Sequence, residues 1–122
     1  MNIRSLQQGL QYCGRVTSVR QSYHVFEARN HYFVLSFARA RSRAGSGYFN
    51  LIAKPAVDYV QAKFGGNARV TAKEIATRRT KLIRTSLQAL NVLYILVALG
   101  QATIARQGER RQLFFSVRKR KE

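Results

Sequence analysis

Hydrophobic and polar positions follow two different rhythms along this chain. Up to Ala53 the apolar residues come in short runs: "YHVFEA" (Tyr23–Ala28), "HYFVLSFA" (His31–Ala38) and "YFNLIA" (Tyr48–Ala53). All three are rich in aromatic and β-branched side chains, which suit a pleated, half-buried surface. "EARNH" and "RAGSG" separate them as turns, and a weaker run, "CGRVTSV" (Cys13–Val19), precedes them. The pattern predicts an antiparallel sheet of three or four strands connected as a meander, a β subdomain over residues 1–54.

From Pro55 the spacing becomes helical. Pro55 suits the first residue of a helix, where a missing N–H costs nothing. Val57, Val60 and Phe64 follow at helical intervals until Gly65 and Gly66 end the element. Thr71 and Glu74 then have the spacing of an N-terminal capping box, and Val70 and Ile75 that of a hydrophobic staple. A longer helix is marked by Ile83, Leu87, Leu90, Tyr94 and Val97, one apolar stripe along about four turns. "ATIARQGERRQLFFSV" (Ala102–Val117) reads as two strands closed around Gly108. The predicted class is therefore α+β, with a helical second unit over residues 55–122.

Charge changes the picture most. The 122 residues include 22 Lys and Arg against 5 Asp and Glu, a formal net charge of +17. The 46% apolar and 11% aromatic content still provides for a real core, so such a charge points to a polyanionic partner rather than to disorder. Arg outnumbers Lys sixteen to six, the preference expected where planar contact with phosphate or guanine is needed. The single cysteine, Cys13, excludes an intramolecular disulfide and a cysteine-rich zinc site. The start of the chain has no uninterrupted apolar segment of the kind a signal peptide needs. The greasiest run, Leu90 to Gly100, is far shorter than the ~20 residues of a bilayer span and reads as a buried helix segment. No membrane partner is expected. Localisation is expected to be cytoplasmic and nucleoid-associated, or nuclear in a eukaryotic host.

In its order of helix, capped helix, longer helix and hairpin, the segment from about Pro55 to Arg118 resembles the winged helix-turn-helix superfamily. "VTAKEIA" (Val70–Ala76) is similar to that superfamily's second helix. The connection "TRRTKLIRT" departs from the pattern in having no glycine, and the third helix runs long, so Lys81 and Ser86 both stand as its start. The resemblance implies a double-stranded DNA partner, with the third helix presenting its N-terminal residues to base edges and the hairpin lying against the backbone. Carried over, Arg84, Thr85, Gln88 and Asn91 form the reading face, since Arg pairs with guanine and Gln or Asn with adenine. Arg78, Arg79 and Lys81 lie near phosphates, Arg106, Arg110 and Arg111 sit around the wing turn, and Arg118, Lys119 and Arg120 trail along the duplex. Sequence-specific transcriptional regulation is the role implied, with a sequence-indifferent architectural protein as the alternative.

Two further features belong to the first half. Arg39, Arg41 and Arg43 continue the alternation of Phe33, Leu35 and Phe37, so one strand face turns from core-seeking to phosphate-seeking and suggests a basic β-arm. A protein binding RNA through this sheet would stack bases on Tyr32, Phe33, Tyr48 and Phe49. Catalytic groups are scarce. The carboxylates are Glu27, Asp58, Glu74, Glu109 and Glu122; Glu74 is assigned to the cap and Asp58 to the first turn of its helix, where it favours the helix dipole. His24, Glu27 and His31 are the one acid–base set, suited to metal-free RNA cleavage if they meet. No enzyme activity, metal or cofactor is expected. The surplus apolar residues Val92, Leu93, Ile95, Leu96 and Leu99 pack either under the sheet or against a second copy in a homodimer.

Overall fold

Alternation of side chains across the strands builds the first layer. The structure, a computed structural model, describes residues 9–18, 21–38, 48–105 and 113–120. Strands β1 (Gln11–Thr17), β2 (Gln21–Glu27), β3 (His31–Ala38) and β4 (Tyr48–Ala53) form one antiparallel sheet in the order β1-β2-β3-β4. Val25 lies opposite Val34, and Tyr32 opposite Ile52. These residues and Val16 are buried and make the inner face. A bulge between Tyr12 and Gly14 shifts the register of β1. Gly14 has φ 146°, a conformation that residues with a Cβ rarely adopt, so glycine suits the bulge.

Three helices and a hairpin follow: α1 (Lys54–Phe64), α2 (Ala72–Ala76), α3 (Ser86–Ala98), β5 (Ala102–Ala105) and β6 (Phe114–Val117). The α+β class is as expected, with a four-stranded sheet. Helix α1 carries Pro55 in its first turn and ends at Gly65, where a Cβ would come within 2.5 Å of the Gln61 carbonyl oxygen and 3.1 Å of that of Arg118. Thr71 caps α2 by accepting from the Glu74 N–H at 3.1 Å. Val70 and Ile75 are both buried as a staple requires. Asp58 lies beyond the first turn of α1 and is held by Arg120 Nη2 at 2.8 Å, so its placement at the helix start is corrected. Between α1 and α2, Val70 and Phe115 exchange both backbone hydrogen bonds at 2.8 Å. Asn67 O likewise accepts from Val117 N at 2.9 Å, which lays residues 67–70 beside β6 as a third extended segment.

Helix α3 lies at the centre. Ala89 and the run from Asn91 to Leu96 are buried, because the inner face of the sheet covers one side and α1, α2 and the hairpin cover the other. The expected single stripe is therefore corrected. The helix is apolar nearly all round, while Leu87, assigned to the stripe, is 59% exposed. The surplus residues Val92, Leu93, Ile95 and Leu96 pack inside this chain, which removes them as the ground for a homodimer. One core cluster runs from Val16 to Val117 across both halves of the sequence.

Tyr94 ties the layers together. Its ring stacks on Tyr23 of β2 at 4.1 Å and meets Phe115 of β6 edge-on at 5.9 Å. Burial pushes its hydroxyl pKa far above the usual phenol range, so it stays protonated and donates to Ser18 Oγ at 3.4 Å. That distance is at the weak end for a hydroxyl donor. Tyr94→Ala is expected to cost about 3–5 kcal/mol and Tyr94→Phe at most about 1 kcal/mol, measured by urea denaturation.

Candidate nucleic-acid interface

The residues expected to read DNA are built around the start of α3, and local chemistry decides that start. Thr85 is the N-cap: its side chain accepts from Gln88 N at 3.1 Å. Gln88 Oε1 in turn accepts from Arg84 N at 2.7 Å and from Thr85 N at 3.3 Å. This reciprocal box fixes the helix start at Ser86 rather than Lys81. It also occupies the acceptor oxygen of Gln88, half of the amide fork that adenine recognition uses.

Asn91, carried over to the reading face by the resemblance, is instead 2% exposed and donates through Nδ2 to Leu87 O at 2.9 Å. It faces the sheet beside Gln21, Ser36 and Asn50. The four residues Arg84, Thr85, Gln88 and Asn91 thus do not form one polar face. The exposed part of α3 is its first turn, Ser86 to Gln88, with Arg84 and Thr85 leading into it.

The connection from α2 to α3 does bring cations together on the surface. Arg78, Arg79, Lys81 and Arg84 are exposed. Arg79 adopts φ 52°, a left-handed conformation costly for a residue with a Cβ, while its N–H donates to Ala76 O at 3.2 Å. Arg78 lies over the Phe64 ring at 5.5 Å. Among the described residues there are two ion pairs, Lys54 with Glu27 at 2.6 Å and Arg120 with Asp58 at 2.8 Å. None of the four connection cations has a carboxylate partner there. Arg118, Lys119 and Arg120 are exposed beyond β6, and the pair made by Arg120 is solvent-accessible on both sides, so it exchanges readily for another anion. Arg39, Arg41 and Arg43, and Arg106, Arg110 and Arg111, expected around a wing turn, lie outside the described residues, as does Gly108.

The acid–base set does not assemble. His24 faces outward and its Nδ1 lies 3.1 Å from the Tyr12 hydroxyl. Glu27 is on the inner side of the sheet, bound to Lys54. His31 is four residues along β3 from Leu35, the partner of His24, or roughly 13 Å by strand rise. Tyr32 is buried with its ring 5.5 Å from Lys54 Nζ, so of the aromatics expected to stack bases it is withdrawn. Among the described residues no group of three His, Cys, Asp or Glu is placed to hold a metal ion, and no helix is long and apolar enough to cross a membrane.

Comparison with protein-family models, with curated proteins and with solved structures gave no significant match.

The sequence signal for the capping role of Gln88 was the Thr-x-x-Gln spacing, the same kind of signal that located α2. Gln88→Ala is expected to lower stability by about 0.5–2 kcal/mol through loss of the cap, with no change in base preference. A shifted preference in duplex selection at unchanged stability would instead assign Gln88 to base reading.

Proposed function

We propose that this chain binds double-stranded DNA through a winged-helix arrangement of α1, α2, α3 and the β5–β6 hairpin. The order of elements supports the reading, as does the isolated β-bridge that joins Val70, just before α2, to Phe115 of the hairpin. The observation that carries it is the run of exposed cations, Arg78, Arg79, Lys81 and Arg84, leading into the exposed first turn of α3 with no carboxylate partner among the described residues.

Phosphate binding supplies most of the affinity in this reading. With Asn91 buried and Gln88 engaged in the cap, Arg84 is the best-placed group for a base edge. The body of α3 is covered by the sheet and does not lie along a groove. That balance favours sequence-indifferent binding over a regulator's strict readout. Arg118, Lys119 and Arg120 extend the same charge beyond the hairpin.

Salt dependence tests this directly. Removing one cation that neutralises a phosphate reduces the slope of log K against log salt by about 0.9. Alanine at Arg78, Lys81 and Arg84 together is expected to lower the slope by about 2 to 3 for a random duplex. Arg79→Gly removes a cation while suiting the left-handed backbone, so its loss of affinity is free of a folding penalty. An unchanged slope in the triple variant refutes the proposed surface.

A further inference from the structure

Among the described residues nothing covers the outer face of the sheet, and that face is not polar. Pairing in register places Tyr12, Phe26, Phe33 and Leu51 in one row across the four strands, and Arg15, His24, Leu35 and Phe49 in the next. Three of these side chains are more than half exposed: Phe49 at 64%, Tyr12 at 53% and Leu51 at 51%. An exposed apolar surface of this extent on a chain with an adequate core marks a binding face.

Ring geometry narrows the occupant. Tyr12 and Phe26 lie 5.2 Å apart at 54°, and Phe33 and Phe49 lie 6.2 Å apart at 30°. Tilted at these angles, the rings do not stack face to face on each other, and Phe26 and Phe33 are half-exposed between the exposed Tyr12 and Phe49. Charge narrows it further. Arg15 is exposed in the second row with no carboxylate partner among the described residues, and Arg29 is exposed at the β2–β3 turn. No acidic side chain among the described residues is on this face, since Glu27 points inward to Lys54. Rings that receive flat groups, beside cations that receive anions, match the alternating base and phosphate of an unpaired strand. A duplex hides its base faces inside the stack and does not fit such a platform. A second copy of this chain would bring another +17 charge and a second Arg15 to the same surface, so charge disfavours that occupant.

We infer that the outer sheet face binds single-stranded nucleic acid, with Phe33 and Phe49 as base-stacking rings, Tyr12 and Phe26 extending the platform across the sheet, and Arg15 as a phosphate contact. The inference rests on side chains other than the cations before α3 and does not depend on the duplex reading.

Fluorescence anisotropy with labelled DNA and RNA strands of about 12 nucleotides, and with a random duplex, tests it across a salt series. The wild type is expected to bind single strands, and the two labelled arms show whether ribose matters. Phe33→Ala with Phe49→Ala is expected to weaken single-strand binding by about tenfold to a hundredfold, with the salt slope and the duplex affinity unchanged. Phe33→Leu with Phe49→Leu keeps most of the apolar area and removes the ring faces, so a similar loss is expected there in a variant that preserves the fold. Wild-type single-strand affinity no better than background, or affinity retained in the leucine variant, overturns the inference. A wild-type dimer in sedimentation that Phe49→Asp dissociates also overturns it, by assigning the face to contact between copies. The duplex arm reports on the other reading alone.

Discussion

Helix α3 is closed in on two sides, and most other features of the molecule follow from that enclosure. The inner face of the sheet needs an apolar partner, and so do α1, α2 and the hairpin; the same thirteen-residue helix serves both. Tyr94 shows the arrangement at one residue, with Tyr23 of the sheet stacked on its ring and Phe115 of the hairpin against its edge. A helix used in this way must be apolar around its whole circumference. A residue change along α3 therefore disturbs two interfaces at once, and the sheet and the helical layer share one core.

Local signals in the sequence located elements well and failed where tertiary burial decides: along α3, and in β3, where the face of Phe33 and Leu35, expected to seek the core, is the outer one and Tyr32 and Val34 are buried instead. Strands β3 and β4 have the bounds that their runs of aromatic and branched residues predict, because sheet-forming composition and the flanking turn residues agree there. Helix α2 was legible from its cap and staple. The start of α3 carried a matching signal in Thr85 and Gln88, but the same two letters suit base recognition, and function competed with capping for their meaning. Asn91 was misread for a different reason. The resemblance assigned it to the reading face, although its place four residues after Leu87 and three before Tyr94 puts it on their side of the helix. The sheet covers that side, and the Nδ2 bond to Leu87 O makes the burial tolerable. The uninterrupted apolar run from Val92 to Leu96 was the available warning that no open side exists.

The charge distribution is the complement of this core. Enclosing α3 leaves cations to the connections and the chain beyond β6, where Arg78, Arg79, Lys81, Arg84, Arg118 and Lys119 face solvent. With two exposed or half-exposed ion pairs among the described residues, little of the positive charge there is neutralised internally. Exposed pairs contribute at most about 1 kcal/mol each, and the surrounding like charges oppose compaction. The folded state is therefore sensitive to counterions: an anion that gathers several of these cations relieves repulsion that the core otherwise has to outweigh.

The outer face of the sheet follows the same logic of cover, carried one layer further out. A strand with one solvated face alternates apolar and polar residues, whereas one buried on both faces reads as a near-continuous apolar run. "HYFVLSFA" in β3 and "YFNLIA" in β4 are of the second kind. Their inward residues, Tyr32, Val34 and Ile52, are covered by this chain. Their outward residues, Phe33, Leu35, Phe49 and Leu51, alternate with these and are left half-exposed or exposed. Composition alone thus specifies a second cover for the sheet. The surplus of cations limits what that cover is, because an apolar or cationic layer would leave the charge unanswered, while a strand of unpaired bases offers rings to the rings and phosphates to Arg15.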